Sequence, residues 1–141
     1  MKDKQRTEVY KANQDFYSAF ESLDIAKMEK VWLKENYIQC FHPGWEILRG
    51  WDAVMESWRR IFENTEEMRF TLTEVQVEIR DSLAWVTLYE NLRSRSEKET
   101  GTGLVLATNI FERRPEGWFM IHHHGSIVMH PPGQLNPTTF H

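Results

Sequence analysis

Residues 37–51 read YIQCFHPGWEILRGW. The aromatic and β-inclined run Asn36-Tyr-Ile-Gln-Cys-Phe41 predicts a short strand. His42-Pro43-Gly44 ends it, because proline cannot donate to a ladder and glycine admits the turn. Just beyond Gly50, the residues Trp51, Val54, Met55, Trp58, Ile61 and Phe62 fall at i, i+3, i+4, i+7, i+10 and i+11. That is the spacing of a helix with one apolar face. A lone strand set between helices constrains how the rest of the chain can be arranged.

Upstream, Val9, Ala12, Phe16, Ala19 and Leu23 recur at spacings of three and four, which predicts a helix over residues 5–22. Asp24 has the chemistry of an N-cap, with Leu23 before it and Met28 after it as a hydrophobic staple, so a second helix is expected over 25–34. Downstream of residue 68 the period changes to two. Phe70 and Leu72 alternate in one phase and Val75, Val77 and Ile79 in the other, which predicts a bulge near Thr73-Glu74. Further strands are expected at 83–95, 103–114 and 117–128, with turns at Asp81-Ser82, around Gly101 and at Pro115-Glu116-Gly117. Three helices followed by an antiparallel meander make an α+β protein. Residues 1–128 form the expected domain, and 129–141, with three prolines, read as a coil tail.

Two strands are apolar on both faces: Leu104, Leu106 and Ile110 against Val105, Ala107 and Phe111, then Trp118 and Met120 against Phe119 and Ile121. A sheet with one wet face would alternate instead. Helices can cover one side, and the other calls for a second copy in a two-fold dimer or for the tail.

The chain has 141 residues, enough for one domain with roughly two thirds of its surface buried. Aromatics make up 13%, including six Trp and eight Phe, so large rings dominate the core. A net charge of −4 with scattered basic residues excludes a nucleic-acid stripe. No run approaches the roughly 20 apolar residues of a membrane span. One cysteine, Cys40, and a polar start without a signal-peptide core predict a reduced, cytoplasmic protein.

The order of helix pair, short strand ending in "HPGW", helix "GWDAVMESWRRIF" and closing strand "GWFMIHHHGS" resembles the nuclear transport factor 2-like superfamily. The nearer resemblance is to its SnoaL-like and ketosteroid-isomerase-like branch, and it spans about residues 5–128. It implies a cone in which a strongly curved antiparallel sheet wraps three N-terminal helices around a deep pocket, usually in a dimer. Activities across such proteins range from isomerases, cyclases, hydrolases and dehydratases to none, so fold alone does not choose among them.

Ketosteroid isomerases carry an aspartate base just before a proline at the end of the first strand, and here His42 precedes Pro43. Histidine suits proton transfer, although the change from aspartate speaks against that particular isomerisation. Capping of the turn or packing on Trp45 explains His42 equally well. Consecutive strand residues alternate between faces, so His122, His123 and His124 cannot together chelate one ion. The resemblance implies that Phe119, Ile121 and His123 face the pocket, with His122 and His124 on the other face, toward the partner or in cross-strand hydrogen bonds. His123 is then an acid–base candidate, or a satisfied core histidine. Tyr17, one turn after Asn13, is a candidate phenolic donor to a substrate oxygen, the role a tyrosine plays in the isomerases though no motif fixes the correspondence, or simply packs. Trp45, Trp58, Phe20, Phe119 and Ile121 are the expected pocket walls, suited to an apolar cyclic ligand. Glu90, Asn91 and Asn109 are polar positions inside apolar strands that either orient a ligand or meet solvent at an edge.

There is no glycine-rich phosphate loop, no nucleophile elbow and no metal-ligand spacing, so no cofactor or metal is expected. Cys40 reads as a buried strand thiol. Two readings remain: an acid–base enzyme (isomerase, dehydratase or hydrolase) on an apolar cyclic substrate, and a noncatalytic ligand-binding or dimerisation module.

Overall fold

The computed structural model describes residues 2–129. The coil expected over 129–141 falls, beyond Met129, outside the described residues. Helix α1 runs Lys2–Ser22, α2 Ile25–Val31 and α3 Trp51–Glu63. The strands are β1 Gln39–Phe41, β2 Leu48–Arg49, β3 Glu67–Arg80, β4 Leu83–Arg95, β5 Thr100–Arg114 and β6 Gly117–Ile127. The α+β class is as expected, with the helices packed on a single six-stranded sheet of order β2-β1-β6-β5-β4-β3.

The helices follow their apolar stripes. Val9, Phe16, Tyr17 and Ala19 of α1 and Val54, Met55, Trp58 and Phe62 of α3 are buried. Asp24 caps α2 by accepting from the Ala26 N–H at 2.9 Å. That helix stops at Val31, three residues short of expectation, because Trp32 turns extended and bridges to Met120 of β6. Leu33 N–H donates to the Met120 carbonyl at 3.0 Å and holds the departure in place.

The sheet departs from a pure antiparallel meander in one respect: β1 pairs with β6 in parallel, Cys40 opposite His123 and Phe41 opposite His124. A strand that returns after two helices can join the edge in either sense, and local sequence does not specify which. β2, two residues long, pairs back on β1. The bulge near Thr73-Glu74 is present as a register shift between Thr73 and Gln76, with Glu74 at φ 52°. The turn expected around Gly101 lies at residues 96–99 instead, where Ser96 N–H donates to the Glu99 carbonyl, and Gly101 and Gly103 sit inside β5.

A second bulge lies in β6. Ile110 pairs with His122 but Phe111 pairs with Met120, so Ile121 is an extra residue in β6. Trp118 and Met120 face the core before the bulge and His123 faces it after, whereas strict alternation would have put one group or the other outside. The expectation that Phe119, Ile121 and His123 share one face fails for this reason. Phe119 pairs with Glu112 on the opposite face from Phe111, and Ile121 packs partly buried at the margin of the core.

Candidate functional site

The inward phase of β1 carries Cys40 and then His42. Parallel pairing sets Cys40 on the same rung as His123, so His42 arrives one inward step away. Their ring centroids lie 6.4 Å apart, and both side chains are buried. A type II-like turn carries the chain off after His42: Pro43 leads, Gly44 takes φ 81°, and Trp45 N–H donates to the His42 carbonyl at 3.0 Å. On the neighbouring strand Gly125 leaves room for that turn, since a Cβ there would lie 3.4 Å from Pro43 and 3.0 Å from Val105.

Trp58 of α3 is fully buried against the histidines. Its ring meets His42 edge-on at 4.7 Å, Phe20 at 4.8 Å and Phe16 at 5.6 Å, and His123 lies 6.2 Å away. Phe16 also contacts the His123 ring at 4.8 Å. The space that the resemblance implied as a deep pocket is thus occupied by rings. The surface hollows, such as one of about 330 Å³ between α1 and α2 beside Trp118, contain neither histidine. Trp45 is 39% exposed and lies over His42 at 5.0 Å, at the outside of the site. Phe20 is half-buried among Trp58, Phe62 and Phe70.

Tyr17 is buried on α1. Its hydroxyl is 2.5 Å from Oε2 of Glu90, and Asn109 Nδ2 donates to Tyr17 Oη at 3.1 Å and to Asn13 Oδ1 at 2.8 Å. Asn109 Oδ1 in turn lies 2.6 Å from His123 Nδ1. Tyr17 therefore has its partner within the protein. Of the polar strand positions expected either to orient a ligand or to meet solvent, Glu90 and Asn109 are buried in the site together with Asn13 of α1, whereas Asn91 is exposed and donates to the Thr71 carbonyl. The available signal was phase: Glu90 follows Val86 and Leu88, and Asn109 stands between Ala107 and Phe111, each on the inward side of its strand.

His42 makes its own contact: Nε2 is 2.9 Å from Ser57 Oγ. Ser57 spends its only proton on the Val54 carbonyl at 2.6 Å, so Ser57 Oγ accepts from His42 Nε2–H and Nδ1 is left as the acceptor. Cys40 Sγ is 3.5 Å from the same Nε2. Burial lowers His42 to a pKa of about 4 and pushes His123 well below the ordinary imidazole value, with His42 adding to the second effect. Both rings are neutral at pH 7. Burial raises Glu90 to about 7 and lifts Tyr17 and Cys40 well above their usual values. No group of three or more metal-ligating side chains occurs among the described residues.

His122 and His124 lie on the outer face beside Phe41, whose ring stacks on His124 at 4.7 Å. That face also carries Trp85 and Leu106, and Ile127 near the end of β6 is 62% exposed.

Residues 9–130 match the SnoaL-like domain family, and the chain belongs to it. A candidate dehydratase of the nuclear transport factor 2-like family from Streptomyces avermitilis is 36% identical, superimposes with a TM-score of 0.87 and covers 92% of this chain and 99% of its own. A candidate calcium/calmodulin-dependent protein kinase type II association domain from Thiobacillus denitrificans is 29% identical at a TM-score of 0.75, covering 84% and 93%. The F-box protein SKIP8 of Arabidopsis thaliana is 28% identical over 121 residues, 86% of this chain and 50% of the relative, so the chain spans about half that protein's length. No described helix is long and apolar enough to cross a membrane.

Proposed function

We propose that this protein is an acid–base enzyme that removes water from, or moves a proton on, a small apolar cyclic substrate, with His42 and His123 handling the proton. The observation that carries the reading is the convergence of two neutral imidazoles, 6.4 Å apart, from separate strands into one buried, aromatic-walled site. Dehydration of a β-hydroxy ketone needs no cofactor. A histidine nitrogen takes the proton α to the carbonyl, the electron pair forms the double bond as the β-hydroxyl leaves, and the imidazolium returns its proton to that hydroxyl as water departs. Similarity to a candidate dehydratase supports this class, with isomerase and hydrolase chemistry as its neighbours. Trp58 must swing aside to admit the substrate, because its ring packs beside both imidazoles.

That same ring favours a second reading, a noncatalytic ligand-binding or dimerisation module. In either case a second copy covers the outer sheet face, a homodimer supported by the exposed Trp85 and Leu106, and the single buried free cysteine suits a reducing cytoplasm.

The test is exchange of α-protons on a panel of cyclic β-hydroxy ketones in heavy water, followed by NMR. Exchange above the buffer rate that falls at least tenfold in both His42→Gln and His123→Gln supports the enzyme. Tight ligand binding without exchange, or exchange indifferent to both substitutions, sinks it in favour of the binding module.

A further inference from the structure

Glu90 is a buried carboxyl that the proposed reaction does not use. It does not bond to His123, yet the two are joined by a chain of hydrogen bonds with a fixed direction. We infer that Glu90, when ionised, dictates which nitrogen of His123 carries the proton, acting through Tyr17 and Asn109 as a positioning group.

The argument is a count of protons. A carboxylate only accepts, so Tyr17 spends its single hydroxyl proton on Glu90 Oε2. Tyr17 Oη then meets Asn109 as an acceptor, which obliges the amide to turn its Nδ2 toward the phenol, 3.1 Å away. The other Nδ2 proton goes to Asn13 Oδ1 at 2.8 Å. Asn109 is left with Oδ1 facing His123 Nδ1 at 2.6 Å, and that nitrogen must carry a hydrogen. His123 is held as the Nδ1–H tautomer with Nε2 bare, the state of a proton acceptor.

A proton on Glu90 removes the constraint. The carboxyl can then donate to Tyr17, Tyr17 to the oxygen of Asn109, and the Asn109 and Asn13 amides turn over together. Asn109 now presents N–H to His123 Nδ1, and through exchange with water the ring's hydrogen moves to Nε2. No charge changes other than that of Glu90. The titratable groups around Glu90 are Tyr17 from α1 and Cys40 from β1, while its ladder partners Leu72 and Val105 are apolar. Burial puts Glu90 at about 7, so both states are accessible near neutral pH.

The catalytic meaning rests on the acid–base reading above, but the tautomer belongs to the ligand-free protein and is measured without any substrate. Long-range proton–nitrogen correlation spectra of histidine-labelled protein report both ring nitrogens, with His123→Gln assigning the signals. Well above neutral pH the wild type is expected to show His123 protonated at Nδ1 and bare at Nε2. Below neutrality, and in Glu90→Gln at either pH, the ratio should shift several-fold toward Nε2–H. The wild-type titration stands even if the variant folds poorly, and Tyr17→Phe should release the ring as Glu90→Gln does. An Nε2–H ring above neutrality, or a ratio that ignores both Glu90's titration and its replacement, overturns the inference. A tautomer that follows Glu90 in a protein that exchanges no α-protons upholds the inference and overturns only the catalytic reading.

Discussion

Trp58 decides how much room the interior has, and its cost of removal is correspondingly large. Trp58→Ala should lower stability by about 3–5 kcal/mol in a urea titration, because five rings lose a neighbour and the cavity cannot close fully. Its indole N–H is buried with no partner among the described residues, so Trp58→Phe removes an unsatisfied donor along with ring area and should cost less than half as much. The buried titratable groups pull stability in opposite directions with pH. His42 has a folded pKa of about 4, below its unfolded value, so the unfolded chain binds more protons and stability falls as pH drops from about 6.5 to 4. Glu90 is raised to about 7, so the folded state holds its proton longer and stability falls as pH rises from about 4.5 to 7. The two windows overlap from about 4.5 to 6.5, where these slopes offset each other, so the loss from His42 stands alone only below about 4.5 and that from Glu90 only above about 6.5. Glu90→Gln should abolish the alkaline decline, gaining about 1–3 kcal/mol over wild type at pH 8 and little at pH 5 in thermal melts.

Elements were legible where their causes are local. Trp51 to Phe62 declared α3 by spacing, Asp24 declared the cap of α2, and the change of phase between Leu72 and Val75 declared the β3 bulge. Asp24→Ala should cost about 1 kcal/mol. At the bulge, Glu74 sits at φ 52°, where a side chain is unfavourable, and Glu74→Gly should stabilise by about 0.5–1 kcal/mol in the same titration. Illegible features depend on partners far away in sequence. Nothing in Gln39-Cys40-Phe41 specifies parallel pairing with β6, although that pairing brings His42 to His123. Every residue from Trp118 to Ile121 is apolar, so pattern could not reveal a bulge among them. Glu90, Asn109 and Asn13 looked like isolated polar positions until the fold made each the other's neighbour.

At the scale of the whole molecule, the outer sheet face is the unfinished surface. Leu106 is 46% exposed at its centre, flanked by Tyr89 and Ser126 in register. Leu106→Arg should convert the proposed dimer into a monomer by sedimentation analysis while leaving the melting temperature of the monomer fold nearly unchanged. A wild type that sediments as a monomer would remove the dimer from the account. The extra residue at Ile121 bears on how such molecules are compared. It works like a frameshift in a spatial code: the strand is read in one frame as far as Met120 and in another from His122 onward. Deleting Ile121 would restore a single frame and keep His123 inside, whereas deleting His122 while the bulge persists would exchange the sides on which every later residue is displayed. Two relatives differing by one residue here can therefore present the same interior, and two of equal length can present opposite ones.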